Sequence, residues 1–390
     1  MIAIKLAIKN LLGAGLRTFL NVFILSVAFV VIIMQNGFIQ GWNKQAKVDV
    51  IEWQYGQGQY WTENYNPHDP FTFKDAHAPI PAALEQARQE GQVAPILVTQ
   101  ATVYPEGRLK SIVLKGIDPH QQTLKIPTEH LQAAGEDTPV IMGSRMAANL
   151  KAEIGDNLLI RWRDVNGTFD AMELKITAFF HSDVPAIDLG QVWIPLEKLQ
   201  QMTGLENEAS IISVKDESTA AINLPGWVFN DLNTLLFEMN QMIKSKSVGN
   251  AIMYLILLAL ALLAIFDTQV LSIFRRQKEI GTFIAMGMTR RQVIGIFTVE
   301  GTMHAILSLV VGAIWGIPLL MQLQKTGIPM PEGYDQMGLP LGDSIIPAYS
   351  AGLILMSVVI VTVTTAIVSY LPARKISKMN PNDAIRGKIQ

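Results

Sequence analysis

Cysteine is absent from the 390 residues. That excludes disulfides, thiolate metal sites and thiol redox chemistry, and an exported domain would need no oxidative folding. Charge is also scarce: Asp, Glu, Lys and Arg make up 16% of the chain, against roughly 25% in an ordinary soluble domain. The net charge of -2 leaves no basic surplus for nucleic acid. No GxxxxGKS/T stretch occurs, so the chain binds no ATP through a P-loop, and neither GxSxG nor HExxH is present.

The few charges are unevenly spread. Thr18–Asn43, Ser247–Phe266, Gly301–Gln324 and Ser344–Pro372 contain no Asp, Glu, Lys or Arg. Each window reaches the ~20 residues that cross a bilayer. The first is too long for a signal peptide and no small-residue cleavage motif follows it, so it reads as a retained span. The expected architecture is an α-helical membrane protein with four transmembrane helices and an α+β domain inserted between helices 1 and 2. Spans fall at 18–41, 247–274, 292–324 and 344–372, with a short Pro/Gly-rich loop at 325–343 and a basic tail at 373–390. In residues 1–17, Lys5 and Lys9 sit four apart among Ile and Leu. This suits either a helix lying on the membrane or an extension of the first span.

Residues 42–246 read as soluble. Turn signals recur at Asn66-Pro67, Asp69-Pro70, Asp118-Pro119 and Asn166-Gly167. Alternating runs predict strands over 93–103, 111–117, 157–162, 171–179, 191–194 and 209–214. Helices are predicted over 81–90, 144–150, 196–202 and 232–244, the last running on as a stalk into the second span.

Basic residues bias the orientation. Lys5, Lys9 and Arg17 precede span one; Arg275, Arg276, Lys278, Arg290 and Arg291 lie between spans two and three; Arg374, Lys375, Lys378, Arg386 and Lys388 follow span four. With four spans all three sets share one side, and the positive-inside bias makes it cytoplasmic. The large domain and the 325–343 loop are then periplasmic. If Ser247–Phe274 were instead a soluble core helix, the sets would separate.

Three ionisable residues fall at membrane depth: Asp267, Glu300 and His304. Such groups are costly there and suggest function by default. Asp267 is eight residues from Arg275 and Glu300 nine from Arg291, so each lies only ~12–14 Å inside those arginines. An ion-pair belt near the interface is the plainer reading, and a proton relay the sharper one. His68, Asp69, Asp75 and His77 have metal-ligand types, but their spacing in a Pro-rich loop favours a structural role and no metal. The aromatics at and beyond the end of span one, Phe38, Trp42, Trp53, Tyr55, Tyr60 and Trp61, are either an interfacial belt and core or candidates for contact with a lipid-like substrate.

The stretch FRRQKEIGTFIAMGMTRRQVIGIFTVEG, residues 274–301, holds a short amphipathic segment between two arginine pairs. With the tail LPARKISKMNPNDAIRG and the internal stretches LKGIDP, VIMGSRMAANLKAEIGDNLLI and FFHSDVPAIDLGQVWIPLEKLQQMTG, it resembles the FtsX/MacB/LolC-LolE (type VII) family of ABC transporter permeases. The resemblance covers nearly the whole chain. The end of span one, MQNGFIQGW, is similar to the lipoprotein-releasing members.

The resemblance implies a bacterial inner-membrane permease with both termini cytoplasmic, paired with a second permease in a homodimer or heterodimer. It implies a dimer of cytoplasmic ABC ATPases that carry the ATP and Mg, no cofactor on this chain, and no catalysis by it. It assigns residues 275–291 to a coupling helix segment, with Glu279, Ile280, Gly281, Ile284, Met286, Gly287, Met288, Arg290 and Arg291 as ATPase-coupling residues. Lipoprotein release or export is the implied activity. The alternatives are mechanotransmission to a periplasmic enzyme, export of a peptide or drug from the periplasm, and a membrane-anchored enzyme. The last would need a cluster of catalytic polar residues that the sequence does not offer.

Overall fold

A computed structural model of the chain describes residues 15–105, 109–132, 137–182, 185–216, 222–330 and 344–376. Residues 1–14, the 331–343 part of the Pro/Gly-rich loop and the 377–390 part of the tail lie outside the described residues.

The uncharged windows form four helices long and apolar enough to cross a membrane. They are α1 (Leu16–Val50), α4 (Phe237–Arg275), α6 (Arg290–Thr326) and α7 (Ala351–Ile376); the short α5 (Gln277–Ala285) lies between α4 and α6. The chain divides into two compact units: residues 1–42, 243–328 and 346–390 in one, 43–242 and 329–345 in the other.

Two helix ends differ from the sequence expectation by seven residues or more. α1 continues past residue 41 because nothing stops it. Trp42, Ala46 and Val50 recur every fourth residue and are all buried, giving this polar stretch an inward stripe. A π-helical turn, Ile51–Tyr55, follows and ends at Gly56 with φ +64°. The last helix starts seven residues later than expected. Pro347 keeps the residue before it out of the helical region, and Ser350 caps the helix by accepting from Leu353 N at 3.2 Å.

In the helical unit, Leu25, Phe29 and Ile32 of α1 meet Leu258, Ala261 and Ile265 of α4, Ala305 of α6 and Val361 of α7. Lipid tails are as apolar as leucine, so close backbone approach holds such helices together. Gly301 shows it: a Cβ there would overlap Ser369 of α7.

In the other unit, nine strands form one sheet: β1 Gly58–Thr62, β2 Val93–Val103, β3 Lys110–Ile117, β4 Pro139–Gly143, β5 Asn157–Arg163, β6 Phe169–Phe180, β7 Gln191–Pro195, β8 Ile211–Val214 and β9 Trp227–Asp231. Their order is β9-β1-β8-β2-β3-β7-β4-β6-β5. The long β2 also pairs with β5 through Ala101–Val103, which closes β2-β3-β7-β4-β6-β5 into a barrel. Leu158, Ile160 and Trp162, alternating along β5, fill its interior with Leu97, Leu114, Met142, Leu174 and Ile194. On the sheet's other side Ile96, Ile117, Ile141, Phe180 and Trp193 pack with Val50 and Trp53.

Helix α2 (Ser144–Leu150) leaves the end of β4, and α3 (Leu196–Thr203) follows β7 directly. Asp188, fully buried, accepts from Ser144 Oγ at 3.2 Å and Arg145 Nη1 at 3.1 Å. It ties the segment before β7 to the start of α2. Burial pushes the Asp188 carboxyl above the usual range, and the Arg145 guanidinium opposes the rise.

Candidate functional site

The basic segment builds a compact clamp. α4 ends at Arg275, and Arg276 leaves helical geometry with φ -101° and ψ 17°. This turn sets α5 across the ends of its neighbours. Ile280, Phe283 and Ile284 of α5 pack on Ile273 of α4, Val293 and Phe297 of α6 and Ala373 of α7. Three helices therefore hold the inner face of α5.

Arg276 is the polar centre. Its Nε donates to Glu279 Oε2 at 2.7 Å, and its Nη1 donates to both oxygens of Glu300, at 3.1 and 2.8 Å. The guanidinium also stacks 5.0 Å over the Phe297 ring. Glu300 is buried and Glu279 half-exposed, so one cation joins α5 to α6 from the inside outward. A pair to a buried carboxylate is costly to break, because the charge left behind has lost its hydrogen-bonded counter-ion in a low-dielectric setting.

The end of α5 is set by glycine. Gly287 has φ +94°, Met288 N donates to Phe283 O at 3.0 Å and Gly287 N to Ile284 O at 3.0 Å. This is a Schellman turn, with Met288 packed near Phe283. Two residues on, Thr289 caps α6: its side chain accepts from Gln292 N and the Gln292 side chain accepts from Thr289 N at 2.8 Å. Helix stop and helix start thus fall within three residues, fixing the corner sharply.

The outer face carries Lys278, Thr282 and Ala285, i, i+4 and i+7 on one side of α5, with Met286, 68% exposed, just beyond. Arg290 and Arg291, in the first turn of α6, are exposed alongside Arg275. Among the described residues none of these four cations makes an ion pair with an acidic side chain. The surface is a positively charged rim around an exposed methionine.

The sequence-predicted coupling residues divide accordingly. Ile280 and Gly281 are buried and Ile284 and Met288 partly so; they shape the corner and contact the bundle. Glu279 is held by Arg276. Met286, Gly287, Arg290 and Arg291 face outward. The sequence marks Arg276 as one of the arginines flanking the segment and an ion-pair belt around Glu300, but does not place Arg276 among the coupling residues, and Phe297 carries no signal of its own. The i, i+3 spacing of Arg276 and Glu279 was a visible signal; Glu300, 24 residues away, needed the fold.

The three ionisable residues at membrane depth part company. Glu300 meets Arg276. His304, buried one turn on, donates from Nδ1 to the Glu300 carbonyl at 3.0 Å, and Ser308 Oγ donates to the His304 carbonyl at 2.6 Å. Asp267 is exposed on α4 and has no hydrogen-bond or ionic partner among the described residues.

The aromatic candidates are mostly core. Tyr60 is 1% exposed inside the sheet domain, its hydroxyl donating to Ile222 O at 2.9 Å. Trp53 is buried on the opposite sheet face, stacked on Phe180. Trp61 packs edge-on to Tyr65 and bonds Gln59 Oε1 at 2.8 Å. Trp42 is buried on α1 and Phe38 half-buried on the same helix. In this conformation Trp42, Trp53 and Tyr60 are all buried, so none of the three rings is presented on the surface. His68 pairs with Glu238 at 3.3 Å, His77 pairs closely with Glu208, and Asp69 caps the turn that follows it. Among the described residues no three such groups converge on a metal position.

Four apolar spans, a sheet-rich domain between the first two and a helical corner bearing exposed cations describe a multi-span membrane protein with an inserted domain. Residues 251–381 match the family model described as FtsX-like permease C-terminal. Two proteins called lipoprotein-releasing system transmembrane protein LolC, from Xylella fastidiosa strains Temecula1 and 9a5c, are 20% identical over 332 and 333 residues, covering 79% of this chain and 80% of each. An uncharacterized ABC transporter permease of Methanocaldococcus jannaschii is 27% identical over 125 residues, 32% of this chain and 29% of that protein. Together these support an ABC transporter permease of the FtsX/LolC type, a multi-pass inner-membrane protein.

Proposed function

We propose that this chain is the membrane-spanning subunit through which a separate cytoplasmic ABC ATPase moves a periplasmic sheet domain. The ATPase carries the ATP and Mg and performs the hydrolysis, and the work done is release of lipoprotein from the inner membrane. The observation that carries the reading is the α5 corner. Its inner face is locked to three helices by Arg276 and an apolar cluster, and its outer face offers Lys278, Met286, Arg290 and Arg291. A push on such a corner is transmitted to α4, α6 and α7, because no part of it is free to yield alone. The likeness to LolC over most of the chain supports the choice of cargo.

One observation favours a second reading. Trp53 and Tyr60 are buried in this conformation, and neither ring is presented on the surface of the sheet domain. A mechanotransmitter, which moves its domain to switch a periplasmic enzyme and carries nothing, has no need of them. Export of a peptide or drug from the periplasm is a third possibility of the same machinery.

The tagged chain, purified from native membranes, is expected to bring down an ABC ATPase, and Arg290→Glu/Arg291→Glu to lose it by tenfold or more. Mass spectrometry of the wild-type complex, ATP-free and ATP-trapped, separates the cargoes. Lipoprotein retained in the ATP-free state and lost on trapping supports release. Neither lipoprotein nor lipid in either state rejects it in favour of mechanotransmission. Unaltered ATPase capture by the double charge reversal would remove the corner from the docking surface.

A further inference from the structure

One face of the sheet grades from apolar to polar, and Lys115 stands at the boundary. Strand register sets the rows. Val98 of β2, Lys115 of β3, Trp193 of β7 and Ile141 of β4 lie side by side, all under 9% exposed. The next row on this face, two residues along each strand, is Gln100, Val113 and Gln191, and the one after it holds Thr102 and Ser111. Val113 and Gln191 are half-buried, Gln100 and Ser111 are exposed, and the Gln100 amide donates to Ser111 Oγ at 3.2 Å. Lys115 Nζ reaches into the second row, where it donates to Gln191 Oε1 at 3.1 Å.

Among the described residues this ammonium has no counter-ion: it meets only Gln191 Oε1 and, at 4.9 Å, the Trp193 ring. Burial weakens its hold on the proton, with nothing acting against the shift. Trp193, its neighbour across the strands, is 1% exposed, and its Nε1 has no acceptor among the described residues. The fold thus sets two buried donors side by side and supplies no anion to either. Each costs stability, because its lost hydration is not replaced. Local costs that nothing inside the fold offsets are expected at sites that meet something from outside.

We infer that Lys115 anchors a carboxylate-binding site on this face of the sheet domain, the ligand's carboxylate taking the place of Gln191 Oε1 as acceptor on Lys115 Nζ. The side-chain amides of Gln100 and Gln191 are the donors at hand for its second oxygen. Charge selects the class. The next cation on this face, Arg161, is two rows along and on the far side of β2, ~13 Å away along the strands, and is stacked on Phe169. A single ammonium neutralises a singly charged carboxylate and leaves a phosphate dianion in excess. Access comes from the polar rows. Gly190, just before Gln191, has nothing within 4 Å of where a Cβ would stand, so the Gln191 end of β7 is not walled in. A small free acid and the C-terminus of a peptide share this chemistry. The site lies wholly within the sheet domain, so it does not rest on the ATPase or on the cargo.

Melting of the full chain in detergent, followed by tryptophan fluorescence, tests it. The probes are acetate, trialanine, trialanine amide and inorganic phosphate, each against chloride at equal ionic strength. A carboxylate probe is expected to raise the melting temperature saturably, by about 5 °C at a concentration roughly a hundredfold above its Kd. Trialanine amide, which has no carboxylate, should give no rise. Lys115→Met and Lys115→Gln should abolish the rise, and Lys115→Arg, which keeps the charge, should retain most of it. A rise with acetate and trialanine alike supports a site for any small acid; a rise with trialanine and not acetate supports a site for a peptide C-terminus. No saturable rise with either acid, an equal rise with trialanine amide, a larger one with phosphate, or a rise that persists in Lys115→Met would each overturn the inference. ATPase capture through α5 is scored separately, so such a failure would leave the permease reading standing.

Discussion

Arg276 shows how much one side chain can hold. It satisfies a buried carboxylate, a half-exposed one and the face of Phe297 at once. Removing it as Arg276→Ala strips the buried Glu300 of two charge-assisted hydrogen bonds, and breaking a buried pair costs up to ~3–5 kcal/mol. The exposed Glu279 pair adds little, at most ~1 kcal/mol. Thermal unfolding of the purified chain in detergent should therefore show a large loss for Arg276→Ala and a small one for Glu279→Ala. Arg276→Met/Glu300→Leu should recover most of the loss, since the buried carboxylate goes together with the guanidinium that holds it. Equal losses for the single and double changes would assign the damage to packing against Phe297 instead.

Lys115 tests the same physics with the opposite sign. It sits in β3, 93% removed from solvent, and among the described residues only Gln191 Oε1 at 3.1 Å and the Trp193 ring at 4.9 Å receive its charge. Burial pushes the Lys115 ammonium down to about 8 from its ordinary 10.5. Below the lower value both folded and unfolded chains carry the proton, and the folded one bears the burial cost. Between the two values the unfolded chain keeps a proton that the folded one has lost, so stability rises with pH. Lys115→Met should raise stability near pH 7 by an amount on the order of 3 kcal/mol, the equivalent of that shift. It should also flatten the rise between the two pKa values. Melting curves of both chains across this range check the prediction; a parallel rise in the variant would trace it to another group.

At the scale of elements, α5 matters because it is short. Nine residues make a helix of little stability by itself, so its order comes from the three helices beneath it and the Schellman turn after it. Ile284→Pro, which removes a helical hydrogen bond and forces a clash, costs ~3 kcal/mol or more in a helix interior. That should melt α5 without reaching the spans. The expected outcome is an assembled complex whose ATPase still turns over but no longer drives release, read as hydrolysis and transport assayed together. Transport intact in Ile284→Pro would show that α5 does not carry the stroke.

How much of these elements could be read in advance depended on periodicity. Ser144–Leu150 was legible to the residue, and β2 likewise, because turn residues bracket clean apolar runs. β4 was not: all five residues are buried, it opens on Pro139, and a strand covered on both faces shows no alternation. β1 and β9 carry Gly58, Gln59 and Asn230 within five-residue strands, too polar and too short to announce themselves. At the candidate site the local signals sufficed for the corner, since Gly287, Thr289 and the arginines lie in one stretch. The Glu300 tie and the isolation of Asp267 depend on which helices pack together, and no local pattern contains that.

At the scale of the whole molecule, the number of spans decides which side every other feature faces. The doubtful one was α4, whose sequence alone also allowed a soluble core helix. Packing argues against that. Val248, Ile252, Leu255, Leu260 and Leu263 are each more than half exposed, a continuous apolar surface that water would not tolerate and lipid would. With α4 spanning, the sheet domain and the α5 corner fall on opposite sides of the membrane, and the three basic clusters fall together on one. With α4 soluble, the sheet domain and the corner would share a side. Cysteine labelling separates the two arrangements on an otherwise cysteine-free background. Glu197→Cys, exposed at the start of α3, should react in intact spheroplasts with a maleimide that does not cross membranes. Arg290→Cys, equally exposed on the first turn of α6, should react only once the membrane is opened. Both positions labelling from outside would remove α4 from the membrane, and with it the docking corner, since a cytoplasmic corner exists only if the chain crosses the bilayer between residues 242 and 275.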